Sequence, residues 1–133
     1  MKNILSIFLF SLLLFISCRK RTEAPSVSSV LTAKEWKISL AREMNAVFTV
    51  LYTGYKFNFT ADGKLTVNDG ITTYDGTWSE NGNNRTLTID ILSSNFELDF
   101  ISQEWKVNNA SFTGVNLKDD LSTTTQELRF SLF

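Results

Sequence analysis

The sequence predicts an all-β domain, an antiparallel up-and-down β-barrel of about eight strands, behind an N-terminal signal peptide and a tether. Apolar and polar residues alternate with period two from Trp36 to Leu132, turn residues interrupt the alternation at short intervals, and a short apolar run opens the chain. Strands with one apolar face need a shared interior, which a meander closed on itself provides. The chain therefore divides into a signal peptide at 1–17, a tether at 18–29 and a barrel domain at 30–133.

The N-terminal run has the parts of an export signal. Lys2 supplies the positive start, positions 4–16 are apolar apart from two serines, and small Ser17 precedes the single cysteine, Cys18. A transmembrane helix needs about 20 apolar residues, and this run is shorter. The charges at 19–21 argue against a buried core helix. An ordinary secretory signal remains as the alternative to a lipoprotein signal.

Residues 14–18, Leu-Phe-Ile-Ser-Cys, resemble the bacterial lipobox, whose cysteine is lipidated and becomes the mature N-terminus. The resemblance implies acylation of Cys18 and anchoring of the protein to the outer membrane. Two or three acyl chains would hold it there, since each buried methylene contributes about 0.8 kcal/mol. In some lipoproteins, acidic residues just after the cysteine direct export to the cell surface. Here basic residues occupy positions 19–21, and we therefore expect the domain on the periplasmic face.

Charge and residue types exclude several classes of function. From residue 30 onward nine Lys or Arg stand against thirteen Asp or Glu, which leaves no basic face for a nucleic acid. Histidine is absent and Cys18 is the only cysteine, so the sequence offers no catalytic triad, no thiolate zinc site and no internal disulfide. We therefore predict that the chain is not an enzyme and has no catalytic residue, metal or cofactor.

Each predicted strand carries apolar side chains at every second residue. In chain order, the strands span Trp36 to Leu40, Tyr55 to Phe59, Leu65 to Val67, Thr72 to Trp78, Leu87 to Ile91, Phe96 to Phe100, Trp105 to Val107, Val115 to Leu117 and Leu128 to Leu132. Asp-Gly at 62–63 and Asn-Asp-Gly at 68–70 mark hairpin turns, because glycine tolerates a positive φ. Polar residues mark a loop at 80–85 and a turn at 119–123.

Residues 41–53 fit no single pattern. Apolar residues at 44, 47, 48 and 51 have helical spacing, whereas those at 46, 48, 50 and 52 have strand spacing. We predict a short helix that runs into a strand, inserted between the first two strands of the barrel. Such an insert either covers one mouth of the barrel or simply fills that end.

The order of these motifs resembles that of the small lipocalin-like domains of bacterial lipoproteins. The resemblance rests on Lys-Glu-Trp-Lys-Ile at 34–38, the hairpin at 55–63, Tyr-Asp-Gly-Thr-Trp at 74–78, Thr-Leu-Thr-Ile at 86–89 and Leu-Arg-Phe at 128–130. It implies a lipocalin-like barrel over residues 31–133. The barrel should be shallow, because the chain is short for a lipocalin.

The resemblance also implies a role for the first tryptophan. In lipocalins the corresponding Trp lies at the closed end of the barrel, beneath an arginine from a late strand. Transferred to this sequence, that arrangement would pack Trp36 against Arg129. A cation–π contact of this kind is worth about 0.5–2 kcal/mol.

Four aromatic residues are candidates for lining an open mouth of the barrel: Phe48, Tyr52, Tyr55 and Tyr74. Tyrosine suits such a position because it joins an apolar ring to a hydrogen-bonding hydroxyl, and small-molecule sites are mostly apolar. Two functions remain open. In the first, the chain is an envelope binding module for a small apolar ligand. In the second, the interior is filled and the surface docks an envelope protein.

Overall fold

The structure is a computed structural model that describes residues 23–119 and 125–133. Its elements, in chain order, are α1 (Val27–Leu31), β1 (Glu35–Glu43), β2 (Ala46–Val47), a 3-10 helix (Thr49–Tyr52), β3 (Lys56–Phe59), β4 (Lys64–Asn68), β5 (Thr73–Asn81), β6 (Thr86–Ile91), α2 (Phe96–Ile101), β7 (Glu104–Ser111), β8 (Gly114–Lys118) and β9 (Gln126–Leu132). The predicted signal peptide, the lipidation site Cys18 and most of the predicted turn at 119–123 lie outside the described residues.

The strands form one antiparallel sheet that closes into a ring. From β3 to β9 each strand pairs with the next in the chain, and β1 pairs with β3 on one side and β9 on the other. β2 adds a two-residue pairing beside the end of β1. The up-and-down barrel expected from the sequence is confirmed, with nine strands within the described part of the chain.

The barrel has two ends, which we name after the helix that lies at each. The register places Trp36 opposite Leu132 and Glu43 opposite Gln126, so β1 runs from the α1 end to the α2 end. The α1 end contains α1 and the turns between β3 and β4, β5 and β6, and β7 and β8. The α2 end contains the β1–β2 hairpin, the β4–β5 turn and the β6–β7 connection that includes α2.

Aromatic and aliphatic side chains fill the interior between the two ends. The largest fully buried side chains include Trp36, Trp105, Phe57, Phe59 and Phe130. The ring of Phe130 makes edge-to-face contacts with Phe57, at 5.3 Å between centroids, and with Phe59, at 5.6 Å. Such aromatic pairs contribute about 0.5–1.5 kcal/mol each beyond the area they bury. The centre of the barrel is therefore packed with side chains.

The prediction of a strand at residues 96–100 is wrong, because this segment forms α2. Leu98 and Ile101, three residues apart, are fully buried, while Phe96 is exposed. The alternation of apolar residues imitates a strand, since a segment of six residues is too short for periodicity to separate strand from helix. The hydroxyl of Ser102 donates to the carbonyl of Leu98 at 2.8 Å, where the helix ends.

Residues 41–53 also differ from the prediction of a helix that runs into a strand. The strand comes first: β1 continues to Glu43, β2 turns back along it, and the 3-10 helix follows. A bulge between Ile38 and Leu40 shifts the alternation, so Ala41 rather than Leu40 is buried. β1 pairs with β3 only at its start, near the α1 end. The insert lies beside the later part of β1, which has no pairing with β3.

The folded domain begins before residue 30. Val27, Val30 and Leu31 on α1 are buried, and Ser26 caps the helix by accepting a hydrogen bond from a backbone N–H of the first turn. The predicted tether at 18–29 is therefore too long, because its last residues belong to the helix at the α1 end.

The predicted contact between Trp36 and Arg129 is also wrong. Trp36 is fully buried and donates its indole N–H to the carbonyl of Leu31 at 2.9 Å. Arg129 lies on the outer face of β9, with its guanidinium 3.8 Å from the carboxylate of Glu127. The two side chains leave opposite faces of the sheet, because the alternation of β9 turns Arg129 outward.

Candidate functional site

The four aromatic residues proposed as a ligand-binding set come together at the α2 end. Phe48 precedes the 3-10 helix, Tyr52 ends it, Tyr55 precedes β3, and Tyr74 lies on β5. Each of them contacts either α2 or Asn95, the residue immediately before it. Sequence reasoning thus grouped these residues correctly, although it placed α2 itself in a strand.

Two of the tyrosines hold the first turn of α2. The hydroxyl of Tyr52 donates to the backbone carbonyl of Glu97 at 2.7 Å, and the hydroxyl of Tyr55 donates to the Glu97 carboxylate at 3.0 Å. On the other side, the ring of Phe48 meets that of Phe100 edge to face, with the centroids 4.7 Å apart. α2 is therefore fixed to the 3-10 helix and the start of β3.

Tyr74 connects α2 to the β4–β5 turn. Its hydroxyl donates to the carboxylate of Asp69 at 3.2 Å and accepts from the side-chain amide of Asn95 at 3.0 Å. The other oxygen of Asp69 accepts backbone N–H groups of Ile71 at 2.8 Å and Thr72 at 2.6 Å. We call the six linked residues the tyrosine cluster: Tyr52, Tyr55, Tyr74, Asp69, Asn95 and Glu97.

The tyrosine cluster closes this end of the barrel. Tyr52 is 2% exposed and Tyr55 7% exposed, while Phe48 and Tyr74 are half-buried. α2 inserts Leu98 between the walls, where it is fully buried. The aromatic residues thus support the helix that covers the mouth, and their role in binding a ligand stays a prediction.

Burial and charge fix the protonation states in the cluster. Burial, followed by the nearby Glu97 carboxylate, raises the pKa of Tyr52 well above its usual value. Burial and the hydrogen bond to Glu97 raise the pKa of Tyr55 in the same direction. The backbone N–H groups of Thr72 and Ile71 lower the pKa of Asp69. At neutral pH the buried phenols are therefore neutral donors, and Asp69 is an ionised acceptor.

The α1 end is closed by a second helix of the same kind. The carboxylate of Glu80, near the end of β5, accepts the N–H groups of Val27 at 3.2 Å and Ser28 at 2.8 Å, and so caps α1. As Trp36 does for α1, the indole of Trp105 donates to the carbonyl of Ile101, the last residue of α2, at 2.9 Å. Both ends therefore use a short helix held by a tryptophan.

This repeated device corresponds to a tripeptide that occurs twice in the sequence. Glu-Trp-Lys occurs twice, at 35–37 and at 104–106, each time followed by a β-branched residue and preceded by a short helix. The two tryptophans begin β1 and β7, which start from opposite ends of the barrel. The repeat becomes informative only with the structure, because the helix before Trp36 was not predicted from the sequence either.

Two of the pockets formed by the described residues are grooves that open to solvent. One of about 420 Å³ crosses the outer face of β4, β5 and β6, where its lining includes Lys64, Asp75, Asp90 and Leu92. Another of about 390 Å³ follows the 3-10 helix beside β1. Their walls carry charged or polar side chains together with a few apolar ones, and both openings face outward.

Exposed apolar side chains concentrate at the α2 end. Five of them lie on segments that meet around α2, and we call them the apolar rim: Met44, Val47, Ile71, Leu92 and Phe96. Their exposed fractions run from 60% at Met44 to 95% at Ile71. At the α1 end the exposed large apolar side chains of the described residues are Phe112 and Phe133, each 53% exposed. The two ends therefore differ in the surface they present to solvent.

Residues 23–119 and 125–133 contain no group of three His, Cys, Asp or Glu side chains arranged to hold a metal ion. Within the same ranges, no helix has the length and apolar character needed to cross a membrane.

Comparison with known proteins identifies the fold. No protein-family model matches the chain, and no curated protein matches its sequence. A DUF4847 family protein from Bacteroides vulgatus matches its structure with a TM-score of 0.59 and 16% identity, over 80% of this chain and 96% of that one. A lipocalin-like protein from Bacteroides uniformis matches with a TM-score of 0.51 and 16% identity, over 77% and 98%. The chain thus has the lipocalin-like fold that its motifs predict.

Proposed function

We propose that this chain is a lipid-anchored, non-enzymatic protein of the bacterial envelope, whose filled barrel serves as a protein-interaction module. The observation that carries this proposal is the packed interior, which a helix closes at each end. Ligand sites usually occupy about 300–1,000 Å³ of space inside a protein. Here the corresponding space holds two tryptophans and three phenylalanines that are almost completely buried.

Opening the barrel to a ligand would be costly. The side chains of Leu98 and Ile101 would have to leave the interior, and the hydrogen bonds from Tyr52 and Tyr55 to Glu97 would have to break. Burying a side chain of leucine size stabilises a protein by about 1.5–3 kcal/mol, and each hydrogen bond adds about 0.5–1.5 kcal/mol. The contacts of a ligand would first have to offset the loss of this burial and of these hydrogen bonds before any net affinity remained.

Binding of a small apolar ligand is the second candidate function, and one observation favours it. The four predicted ligand residues, Phe48, Tyr52, Tyr55 and Tyr74, do converge on one end of the barrel. They would form a pocket only with α2 displaced. The two candidates therefore differ in whether α2 stays in place.

The location is part of the proposal and rests on the N-terminal sequence. The lipobox-like segment ends at Cys18, and the described domain begins a few residues later at the α1 end. We place the acylated cysteine in the outer membrane and the domain on its periplasmic face. The absence of histidine throughout the sequence supports a role other than catalysis.

Removal of the lipidated cysteine tests the anchor. Cys18→Ser should abolish labelling by a radioactive or clickable fatty acid and release the protein from membranes. Proteinase added to intact cells should leave the wild-type domain undigested. Membrane association and mass that do not change in the variant would contradict the anchor, and rapid digestion in intact cells would contradict the periplasmic face.

Mass spectrometry under non-denaturing conditions tests the filled barrel against the ligand site. The purified lipoprotein should have the mass of its polypeptide and acyl chains, with no further bound compound. A stoichiometric small apolar compound that the wild type retains and Tyr74→Ala loses would favour the ligand-binding function instead. The variant should remain folded, since Tyr74 is only half-buried.

A further inference from the structure

The apolar rim surrounds the helix that closes the barrel. The β1–β2 hairpin contributes Met44 and Val47, the β4–β5 turn contributes Ile71, and the β6–β7 connection contributes Leu92 and Phe96. The tyrosine cluster and the edge-to-face contact at Phe48 tie these segments to α2. The segments that carry the rim are therefore held in place by contacts with α2. Exposed apolar groups gathered at one place on a soluble domain commonly mark an interaction site.

The attachment of the tether determines which way the rim faces. The chain enters the domain at α1, at the opposite end of the barrel. β1 has nine residues, which at about 3.3 Å per residue and the usual tilt of barrel strands separates the two ends by roughly 20–25 Å. The eight residues from Cys18 to Ser26 span at most about 28 Å when fully extended. Only a nearly straight tether would let the rim reach the bilayer that holds Cys18.

Negative charges accompany the apolar rim. Asp69, Glu97 and Asp99 lie on the same turn and helix as Ile71 and Phe96. They would oppose contact with a bilayer that contains anionic lipids, since such surfaces attract basic residues. They would favour a polypeptide that carries lysine or arginine.

Two nearby cations are already engaged with a carboxylate on the outer wall. The guanidinium of Arg42 forms a hydrogen-bonded ion pair with Glu127, and the Lys118 ammonium lies 3.6 Å from the same carboxylate. These cations lie on β1 and β8, whereas Asp69, Glu97 and Asp99 lie on the β4–β5 turn and on α2. The surface combines exposed apolar side chains with an excess of acidic ones.

We infer that the apolar rim docks a protein segment in which apolar side chains are flanked by lysine or arginine. This inference rests on the interaction-module function proposed above and assigns its binding surface. Apolar contacts with Ile71 and Phe96 supply the buried area. Asp99 and its acidic neighbours select basic partners and oppose acidic ones.

Photo-crosslinking in the bacterium that makes the protein tests this surface. A photoreactive amino acid replaces Ile71 in the full-length lipoprotein, and in a separate strain it replaces Phe112 at the α1 end. Both side chains are largely exposed, so both substitutions should leave the fold intact. Position 71 should yield a discrete adduct with another protein, at least tenfold more abundant than any adduct from position 112. Sequencing of the adduct should find lysine or arginine beside the cross-linked apolar residue.

A charge reversal provides the matched control. Asp99→Lys, on α2 beside the rim, should reduce the adduct from position 71 at least tenfold. Glu35→Lys, an exposed carboxylate of the α1 end, should leave it unchanged. Circular dichroism and the urea midpoint should show that both variants remain folded.

The remaining outcomes overturn the inference in distinguishable ways. Adducts mainly from position 112 would retain the interaction-module function and remove the rim as its surface. Adducts from position 71 with lipid, with a second copy of the chain, or with an acidic segment would replace the inferred partner. No protein adduct from either position would overturn both the rim and the proposed function.

Discussion

The α1 end and the α2 end of the barrel are closed by the same device, a short helix followed by a strand that begins with Glu-Trp-Lys. At the α1 end, Trp36 donates to the carbonyl of Leu31, and at the α2 end Trp105 donates to that of Ile101. Both tryptophans are completely buried. The shared features therefore account for closure and stability, and function is best sought where the two ends differ.

The difference lies in how the helices are held and in what surrounds them. The side chains of Glu80 and Ser26 hold the N-terminus of α1. The tyrosine cluster holds α2, and the apolar rim surrounds it. Exposed apolar groups do not contribute to packing within the domain. Their concentration beside the helix held by the tyrosine cluster is the reason why we propose the α2 end as the contact surface, and we propose that the α1 end joins the domain to a tether.

Removal of either tryptophan should give the largest effect and should show that the two closures are equivalent. Trp36→Ala and Trp105→Ala should each lower the free energy of unfolding by about 3–5 kcal/mol, because each leaves a cavity and loses a buried hydrogen bond. Phe112→Ala, at an exposed site, should change it by less than about 0.5 kcal/mol. Urea unfolding measures all three. A loss below about 0.5 kcal/mol at only one tryptophan would break the equivalence of the ends.

Loss of the Glu80 carboxylate, the polar anchor of α1, should have the next largest effect on the free energy of unfolding. Glu80→Ala should lower the free energy of unfolding by about 1–2 kcal/mol, since two backbone N–H groups of α1 lose their acceptor. Glu80→Gln keeps an acceptor oxygen and should cost less. Hydrogen exchange should show faster opening of residues 27–31, with α2 unchanged. Equal acceleration at both helices would show that the ends do not behave as separate units.

The anchor of α2 should show its effect at alkaline pH. The pKa of Tyr52 is raised by burial, so the folded protein keeps a phenolic proton that the unfolded chain loses above its ordinary value near 10. This contribution to stability is complete below pH of about 10 and falls as the pH rises further. Urea unfolding between about pH 9 and 11.5 should show this fall, and Tyr52→Phe should make it shallower while costing about 1 kcal/mol at neutral pH. If the free energy of unfolding fell equally steeply with pH in the wild type and in Tyr52→Phe, Tyr52 would not be the buried anchor of α2.

Most of the barrel could be predicted from the sequence, because each strand buries only one face and alternation reports that face directly. The hairpin glycines were recognised for a similar reason: Gly63 and Gly70 have φ values of 82° and 97°, which few other residues adopt. The bulge after Ile38 was missed, since a bulge shifts the alternation by one residue without changing the composition of the strand.

The two short helices could not be read from periodicity. In α2 the apolar residues Phe96, Leu98 and Phe100 alternate like a strand, and only the packing of Leu98 and Ile101 into the barrel selects the helix. The four candidate aromatic residues do converge on α2, while their role in ligand binding stays a prediction. Whether they opened onto a cavity depended on α2, which a single sequence did not locate.

Quenching of tryptophan fluorescence by a brominated fatty acid tests most directly whether the barrel is filled. Trp36, Trp78 and Trp105 are all buried, so a fatty acid that entered the barrel would bring bromine close to them. The Cys18→Ser protein, which has no cysteine to acylate, should show no saturable quenching up to about 100 μM fatty acid, a limit that corresponds to a binding free energy weaker than about −5.5 kcal/mol. Saturable quenching with a midpoint near about 1 μM, weakened by Tyr74→Ala, would contradict a filled barrel and return the chain to the ligand-binding function.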